Sequence, residues 1–386
     1  MTVQRLSTPP RLPLVLARGA LASRSRRGPY EHARLPGERL LLPDARIDER
    51  RLRAYARVCG FDGGDGKATT GQGPGAAQGY GTAQIRDAGQ GPGQPLPATG
   101  SPVPPTYPHV LGFPLAMELM ARPGFPFPVL GLVHTGIELT QHRALRTGDR
   151  PEISVHAEGP APHRRGSSFD VVTEARLDGA LIWHSRSTYL CRHRTADGGR
   201  RPEEQPGEQP PGLRLPATDP PPQHPAPQHP AAPLPVREHW DLPSGLGRRY
   251  ARASGDRNPI HLHPLTAKLF GFPRHIAHGM WTFARALAGT GATDGSEQLT
   301  ARAEFKAPVP LPSSVAYCVD EPTASAGGYR APVRVHRFEL RSGDDATAPQ
   351  GAPGAPGARS NGGAEHGEGE GRPRLHLTGE VTSERP

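Results

Sequence analysis

The chain has 386 residues, enough for two or three domains, and its 48 glycines and 48 prolines predict folded blocks separated by low-complexity segments. The net charge of +9 rests almost entirely on arginine, which reflects either a compositional preference or a basic surface for an acidic partner. The three cysteines lack CxxC spacing, no apolar run could span a membrane, and no basic run is interleaved with aromatics. We therefore expect no disulfide, metal site, membrane span or nucleic-acid partner, and a reducing, cytoplasmic location.

The N-terminal region contains no acidic residue in its first thirty positions and is interrupted by Pro9, Pro10 and Pro13. We expect a poorly ordered arm there, with a short helix over residues 14–22. The first folded block is predicted over residues 35–194. It carries a Gly- and Gln-rich insertion at 63–105, which holds too few apolar residues to fold by itself.

An internal repeat indicates that the chain is a duplicated unit. Residues 46–56 have helical spacing and run into YARVCGF, which matches the later YARASGD at Tyr, Ala, Arg and Gly. The first copy has Phe61 where the second has Asp256, so it lacks the carboxylate. We therefore predict that the first copy takes no part in acid–base chemistry.

The rest of the first block is predicted as one apolar helix followed by strands. Residues 115–120 form the expected core helix, which is shorter than its counterpart in the second block because Pro123 and Gly124 close it. Asp178-Gly179 predicts a tight hairpin, and the basic segment HRRG at 163–166 predicts a second turn. Alternating patterns predict strands over 133–140, 152–158, 168–176 and 180–191.

A Pro-rich linker is predicted at 195–235, and the second folded block at 236–386. Its core helix is expected over residues 280–288. A further Gly-, Ala- and Pro-rich insertion is expected at 343–372. Alternation predicts strands over 299–306, 314–320, 333–341 and 375–382.

The most informative stretch, Tyr250 to Thr282, reads YARASGDRNPIHLHPLTAKLFGFPRHIAHGMWT. Asp256 and His261 stand five residues apart in a segment broken by glycine and proline. Gly279 opens an apolar run that reads as a buried helix. A carboxylate, an imidazole and a free N–H at a helix start are the groups needed for proton transfer beside a carbonyl.

This stretch resembles the MaoC-like, or R-specific hydratase 2, branch of the hotdog superfamily. The motifs YAxxSGDxNPIH, AxxxGF and IAHGM are all complete here. The degenerate first copy, the strand beginning GLVHT and the RRG turn are similar to (3R)-hydroxyacyl-thioester dehydratases of mycobacteria. The resemblance implies an α+β double hotdog, in which two antiparallel sheets each wrap one central helix.

The resemblance also implies a reaction, the reversible loss of water from a (3R)-3-hydroxyacyl thioester carried by coenzyme A or acyl carrier protein. Asp256 and His261 would be the acid–base pair. The pKa of His261 suits it to take the C2 proton, but the sequence leaves open which of the two takes it, because a coupled pair shares its titration. The N–H of Gly279 would hold the thioester oxygen. Asn258 would fix the loop and orient His261, and it would contact substrate together with His278 and Met280. No cofactor is implied, and a homodimer of double hotdogs is possible.

Each motif residue also has a structural explanation. Asp256 could cap a turn, His263 is expected to be structural, and His278 is expected to be a buried hydrogen-bonding residue rather than a base. A non-catalytic acyl-thioester-binding or scaffold subunit is the alternative function, and a thioesterase is a weaker third. The short first-copy helix suggests a widened tunnel, and hence a preference for medium or long acyl chains.

Overall fold

The computed structural model describes residues 1–26, 30, 33–62, 82–84, 100–194, 233–325, 333–342 and 373–384. Most of the predicted insertions and linker (63–105, 195–235 and 343–372) lies outside these residues. In chain order the elements are β1 (Thr2–Arg5), α1 (Leu12–Ser25), β2 (Glu38–Leu42), α2 (Glu49–Cys59), β3 (Thr82–Gln84), α3 (Tyr107–Ala121), β4 (Leu132–Gln141), β5 (Glu152–His163), β6 (Gly166–Leu177), β7 (Ala180–Arg192), β8 (Val236–Leu242), α4 (Leu246–Ser254), a 3-10 turn (Pro259–His261), α5 (Pro264–Lys268), α6 (Gly279–Gly289), β9 (Gln298–Phe305), β10 (Ser313–Val319), β11 (Thr323–Ser325), β12 (Val333–Ser342) and β13 (Arg374–Glu384).

Two antiparallel sheets of the same design form the body of the molecule. The first runs β2-β5-β6-β7-β4 and packs on α3, and the second runs β9-β13-β12-β10-β8 and packs on α6. They join edge to edge because β4 and β9 pair antiparallel, from Gly136 opposite Glu304 to Gln141 opposite Leu299. The predicted double hotdog is confirmed. We refer to the sheet around α3 as the first unit and the sheet around α6 as the second unit.

The predicted hairpin between β6 and β7 forms with Leu177 opposite Ala180. Asp178 and Gly179 have φ values of 49° and 82°, which are the left-handed conformations that a two-residue turn of this type requires. The basic segment at 163–166 likewise joins β5 to β6, with His163 opposite Gly166.

The prediction of a short core helix in the first unit was wrong. Helix α3 has 15 residues, whereas α6 has 11. Pro114 lies inside α3 rather than before it, because burial of apolar residues on both sides of it stabilises the helix there. The argument for a widened acyl tunnel therefore loses its structural basis.

The helix expected over residues 14–22 is present as the longer α1, but the expectation of a poorly ordered arm around it was wrong. Strand β1 pairs parallel with β2, and α1 has 14 residues and packs on α3. Arg26 anchors the end of α1, since its guanidinium donates to the carbonyls of Met120 at 3.0 Å and Phe127 at 2.8 Å. The first unit therefore begins well before residue 35.

The end of the predicted 63–105 insertion belongs to the packed chain. Pro102 forms a β-bridge with Arg146, and Val103 is buried in the core. None of the helices in the described ranges is both long enough and apolar enough to cross a membrane.

Candidate active site

The repeated YAR segments form two helices, α2 and α4, that pack together and end in the same way. Gly60 and Gly255 cap them with φ values of 78° and 82°. Their tyrosines meet between the units, with the rings of Tyr55 and Tyr250 5.9 Å apart. The left-handed cap turns the chain out of α4 and puts Asp256 immediately beyond the helix end.

Side-chain bonds hold the loop after α4 in shape. The Asn258 N–H donates to Oδ1 of Asp256 at 3.1 Å, and the Ile260 N–H donates to Oδ1 of Asn258 at 3.4 Å. Asn258 therefore fixes the loop, as expected. Gly247 lets α4 approach it closely, because a Cβ there would lie 2.0 Å from the carbonyl oxygen of His261.

The His261 ring is oriented by the main chain. Its Nδ1 lies 2.8 Å from the carbonyl oxygen of Ile276, which can only accept, so Nδ1 carries the proton. The Nε2 atom is then the one with a free lone pair, as a general base requires. The expectation that Asn258 orients this ring is not supported, since its side-chain oxygen caps the turn instead.

Three predicted residues converge at one point. Polar side-chain atoms of Asp256, His261 and His278 all lie within 4.8 Å of one another, and the two imidazole rings stack with centroids 3.8 Å apart. His278 is 2% exposed, and its Nε2 donates to the main-chain oxygen of Asp256 at 3.1 Å. His278 is therefore a buried hydrogen-bonding residue, as expected, and it holds Asp256 in place.

Burial shifts the titration of this cluster. Desolvation raises the pKa of Asp256 above its usual value, and the nearby His261 partly opposes the shift. Desolvation lowers the pKa of His261 below 6.5, against the pull of the Asp256 charge, and lowers the pKa of His278 further. His261 is therefore a neutral base at pH 7, and a proton on Asp256 is held more tightly than on an exposed carboxyl.

Helix α6 points its first turn at this cluster. Within the part of the chain that the structure describes, the N–H groups of Gly279 and Met280 make no hydrogen bond. The positive end of the helix dipole lies there as well. Gly279 packs against Phe305, since a Cβ at this position would lie 3.1 Å from the ring. Met280 is buried, at 8% exposure, so whether it contacts substrate stays a prediction.

His263 serves a structural purpose, as expected, because its Nδ1 accepts from the N–H of Leu265 at 3.2 Å and begins α5. The three clustered groups are of the kinds that bind metals. Nε2 of His278 and Nδ1 of His261 both carry protons toward carbonyl oxygens, so each ring keeps one lone pair, on Nδ1 of His278 and on Nε2 of His261. An imidazole lone pair close to a carboxylate is a group that can transfer protons.

Hydrogen bonds between the two units hold the helices on either side of the cluster. No sequence pattern indicated them. Arg51 of α2 donates from Nε to the Ala253 carbonyl at 2.7 Å and from its terminal nitrogen to the Ser254 carbonyl, at the end of α4. In return, the indole N–H of Trp281 donates to the Val58 carbonyl of α2 at 2.7 Å. Each unit thus caps a helix of the other.

Two comparisons with known proteins point to one family. The profile of the MaoC like domain matches residues 229–321. The chain is 37% identical to 3-hydroxyacyl-thioester dehydratase X of Mycobacterium tuberculosis over 222 residues, which are 58% of this chain and 71% of that protein. The chain belongs to the MaoC-like dehydratase family.

Solved structures share the fold over most of the chain. The crystal structure of HtdX from Mycobacterium tuberculosis covers 88% of this MaoC-like chain and is itself covered to 98%, with a TM-score of 0.55 and 28% identity. A MaoC-like dehydratase from Phytophthora capsici has a TM-score of 0.51 at 15% identity, over 80% of this chain and 90% of that one. The second likeness shows the fold alone.

Proposed function

We propose that this MaoC-like enzyme is a (3R)-3-hydroxyacyl-thioester dehydratase, and in reverse an R-specific trans-2-enoyl-thioester hydratase. The observation that carries the proposal is the convergence of Asp256 and His261 beside the first turn of α6. Its family and its likeness to a 3-hydroxyacyl-thioester dehydratase support the same reaction.

The reaction needs a base, an acid and a donor for the carbonyl oxygen. Nε2 of His261 takes the C2 proton, and the C–H electrons form the C2–C3 double bond. The C3–O bond breaks, and the departing hydroxyl receives a proton from the Asp256 carboxyl and leaves as water. The lowered pKa of His261 and the raised pKa of Asp256 favour this division of labour over the reverse one.

Negative charge develops on the thioester oxygen as the C2 proton leaves. The free N–H of Gly279 donates to that oxygen, and the dipole of α6 stabilises the charge. His278 holds the main chain of Asp256 and closes one side of the site. The first unit, which has Phe61 where the second has Asp256, is non-catalytic and contributes support and wall.

Coenzyme A and acyl carrier protein are both suitable carriers of the acyl group, and the excess of arginine suits the acidic groups of either. A cytoplasmic location is supported by Cys59, Cys191 and Cys318, which are all buried and unpaired. A homodimer of double hotdogs stays a proposal without a structural argument.

The test is to follow the enoyl absorbance of crotonyl-CoA and of a longer enoyl-CoA in the presence of the pure enzyme, with chiral analysis of the product. Formation of the (3R)-alcohol is expected. Tight binding of the thioester without turnover would instead favour the non-catalytic binding subunit. Hydrolysis to a free acid would favour a thioesterase.

A further inference from the structure

A series of aromatic ring contacts extends from the first unit to Gly279 in the second unit. Tyr189 on β7 lies opposite His134 on β4, and their rings stack with centroids 4.7 Å apart. The His134 ring is 4.9 Å from that of Phe305, which packs against Gly279. Contacts therefore run without a break from Tyr189 to Gly279, the first residue of α6.

Two tyrosines lie within reach of the Asp256 charge, one in each unit. Burial raises the pKa of both Tyr189 and Tyr250, and the Asp256 carboxylate raises both further. Tyr250 is satisfied, because its hydroxyl is hydrogen-bonded to Tyr55, which in turn donates to Thr106. Tyr250 therefore belongs to the packing between the units.

Tyr189 differs from Tyr250, because its hydroxyl makes no hydrogen bond to another described residue. Its ring is fixed on both faces, since Phe169 stacks at 5.7 Å and His134 at 4.7 Å. A tyrosine held by its ring in this way usually finds a partner for its O–H. The row of rings that holds Tyr189 ends at Gly279, where the substrate thioester would bind under the proposed function.

We propose that the Tyr189 hydroxyl donates a hydrogen bond to the oxygen on C3 of the substrate, the same oxygen that Asp256 protonates. This inference rests on the proposed function. It makes Tyr189 a substrate-positioning residue that the non-catalytic unit supplies. The first unit then distinguishes a 3-hydroxyacyl thioester from a saturated one, rather than serving only as an apolar wall.

The experiment compares wild type with Tyr189→Phe, which keeps the ring and its stacking. The matched control is Tyr30→Phe, whose hydroxyl donates to the Arg26 carbonyl at 2.7 Å at the far end of the same row of rings. We measure KM and kcat for dehydration of a (3R)-3-hydroxyacyl-CoA, and the inhibition constant of the saturated acyl-CoA of equal length. KM and the inhibition constant do not depend on the folded fraction of either variant.

For Tyr189→Phe we expect kcat/KM to fall about 5- to 20-fold, the size of one hydrogen bond to a substrate. The inhibition constant of the saturated acyl-CoA should stay within about twofold, as should all constants of Tyr30→Phe. Equal losses for hydroxylated and saturated ligands would make Tyr189 a wall residue and overturn the proposal, and no loss at all would do the same. A displaced alkaline limb of the pH profile, which reports loss of the Asp256 proton, would put the bond on Asp256 and overturn the proposal as well. A wild-type enzyme without turnover would refute the proposed function instead.

Discussion

The two hotdog units share one arrangement of helices and strands but differ in the residues that this arrangement brings together. Both have a helix that ends in a left-handed glycine, Gly60 in one and Gly255 in the other, and both bury one helix in a curled sheet. The two units differ at the residue that follows the glycine. In the first unit Phe61 packs against the core, whereas in the second Asp256 lies beside two histidines. The comparison teaches that the cap geometry is a packing device, and that chemistry begins with the next residue.

The units also differ in how their central helices begin. Helix α3 begins at Tyr107, whose N–H already donates to the carbonyl oxygen of Pro104 at 2.8 Å, and Pro108 follows it. Helix α6 begins at Gly279 beside the cluster. A glycine allows a substrate oxygen to approach the first amide closely, and proline has no amide hydrogen to offer. The first unit therefore lacks the donor as well as the carboxylate.

Separating the units is expected to have the largest effect. Residues 236–386 expressed alone should be insoluble or without measurable activity, because the edge of β9 is then unpaired and α4 loses its Arg51 cap. Co-expression with residues 1–194 should recover part of the activity. Full activity from the fragment alone would contradict the supporting role of the first unit.

Removing the acid–base pair comes next. Asp256→Asn and His261→Ala should each lower kcat at least about a hundredfold, the usual scale for such groups, with little change in the melting temperature. Asp62→Asn is the control in the first unit, where the carboxylate lies 3.9 Å from Arg57. The assignment fails if either catalytic variant turns over at the wild-type rate or if the control is equally impaired.

The cap that the first unit places on α4 should have a smaller effect. Arg51→Ala leaves two carbonyls without their donor just before Asp256, so we expect a loss of about 1–3 kcal/mol in the free energy of unfolding and a few-fold lower kcat. Arg50→Ala is the control, since the side chain of Arg50 is exposed and makes no hydrogen bond or ion pair with another described residue. Denaturant titration and initial rates measure both effects. Equal stability of the two variants would count against the cap.

The smallest change in stability at neutral pH is expected when a buried histidine of the first unit is replaced. Burial lowers the pKa of His109 to about 4 and that of His134 to about 3, so the folded state binds fewer protons than the unfolded state as the pH falls below 6.5. The free energy of unfolding therefore decreases as the pH falls through this window. His109→Leu should make that decrease shallower and leave stability at pH 7 within about 1 kcal/mol.

The acid limb of the activity profile should belong to the second unit instead. Activity requires neutral His261, whose pKa lies below 6.5, so the rate is retained at pH 7 and falls as the pH drops through that lowered value. His109→Leu should leave this limb where it is. Profiles of kcat/KM and of melting temperature against pH separate the two effects, and a shifted limb would show that the units titrate together.

Much of this fold could be predicted because its signals are local. Alternation gave the strands that are half buried, and one contiguous motif gave Asp256, His261, His278 and Gly279. The loop brings the four residues together through bonds that span only a few positions, or that join it to the chain just ahead of α6. Such a site can be proposed from one contiguous motif and the family that the motif resembles, whereas each of its residues alone would indicate only a turn or a cap.

The features that were missed depend on distant partners. Strand β1 is exposed and polar, and it is a strand only because β2 offers an edge. Helix α3 continues through Pro114 because the surrounding core stabilises it. Arg51 acts 202 residues away along the chain, and Tyr189 meets the second unit only through rings on neighbouring strands. No local pattern marks such residues.

Because β4 and β9 pair within one chain, the assembly of the two units should not depend on the concentration of the enzyme. Two separate chains that shared one site would have to find each other, and dilution would part them. Here the linker makes that encounter intramolecular, and the paired strands fix the outcome. Activity per chain should therefore stay constant over a wide range of dilution, so that the cell sets the rate of dehydration by the amount of protein and not by its assembly.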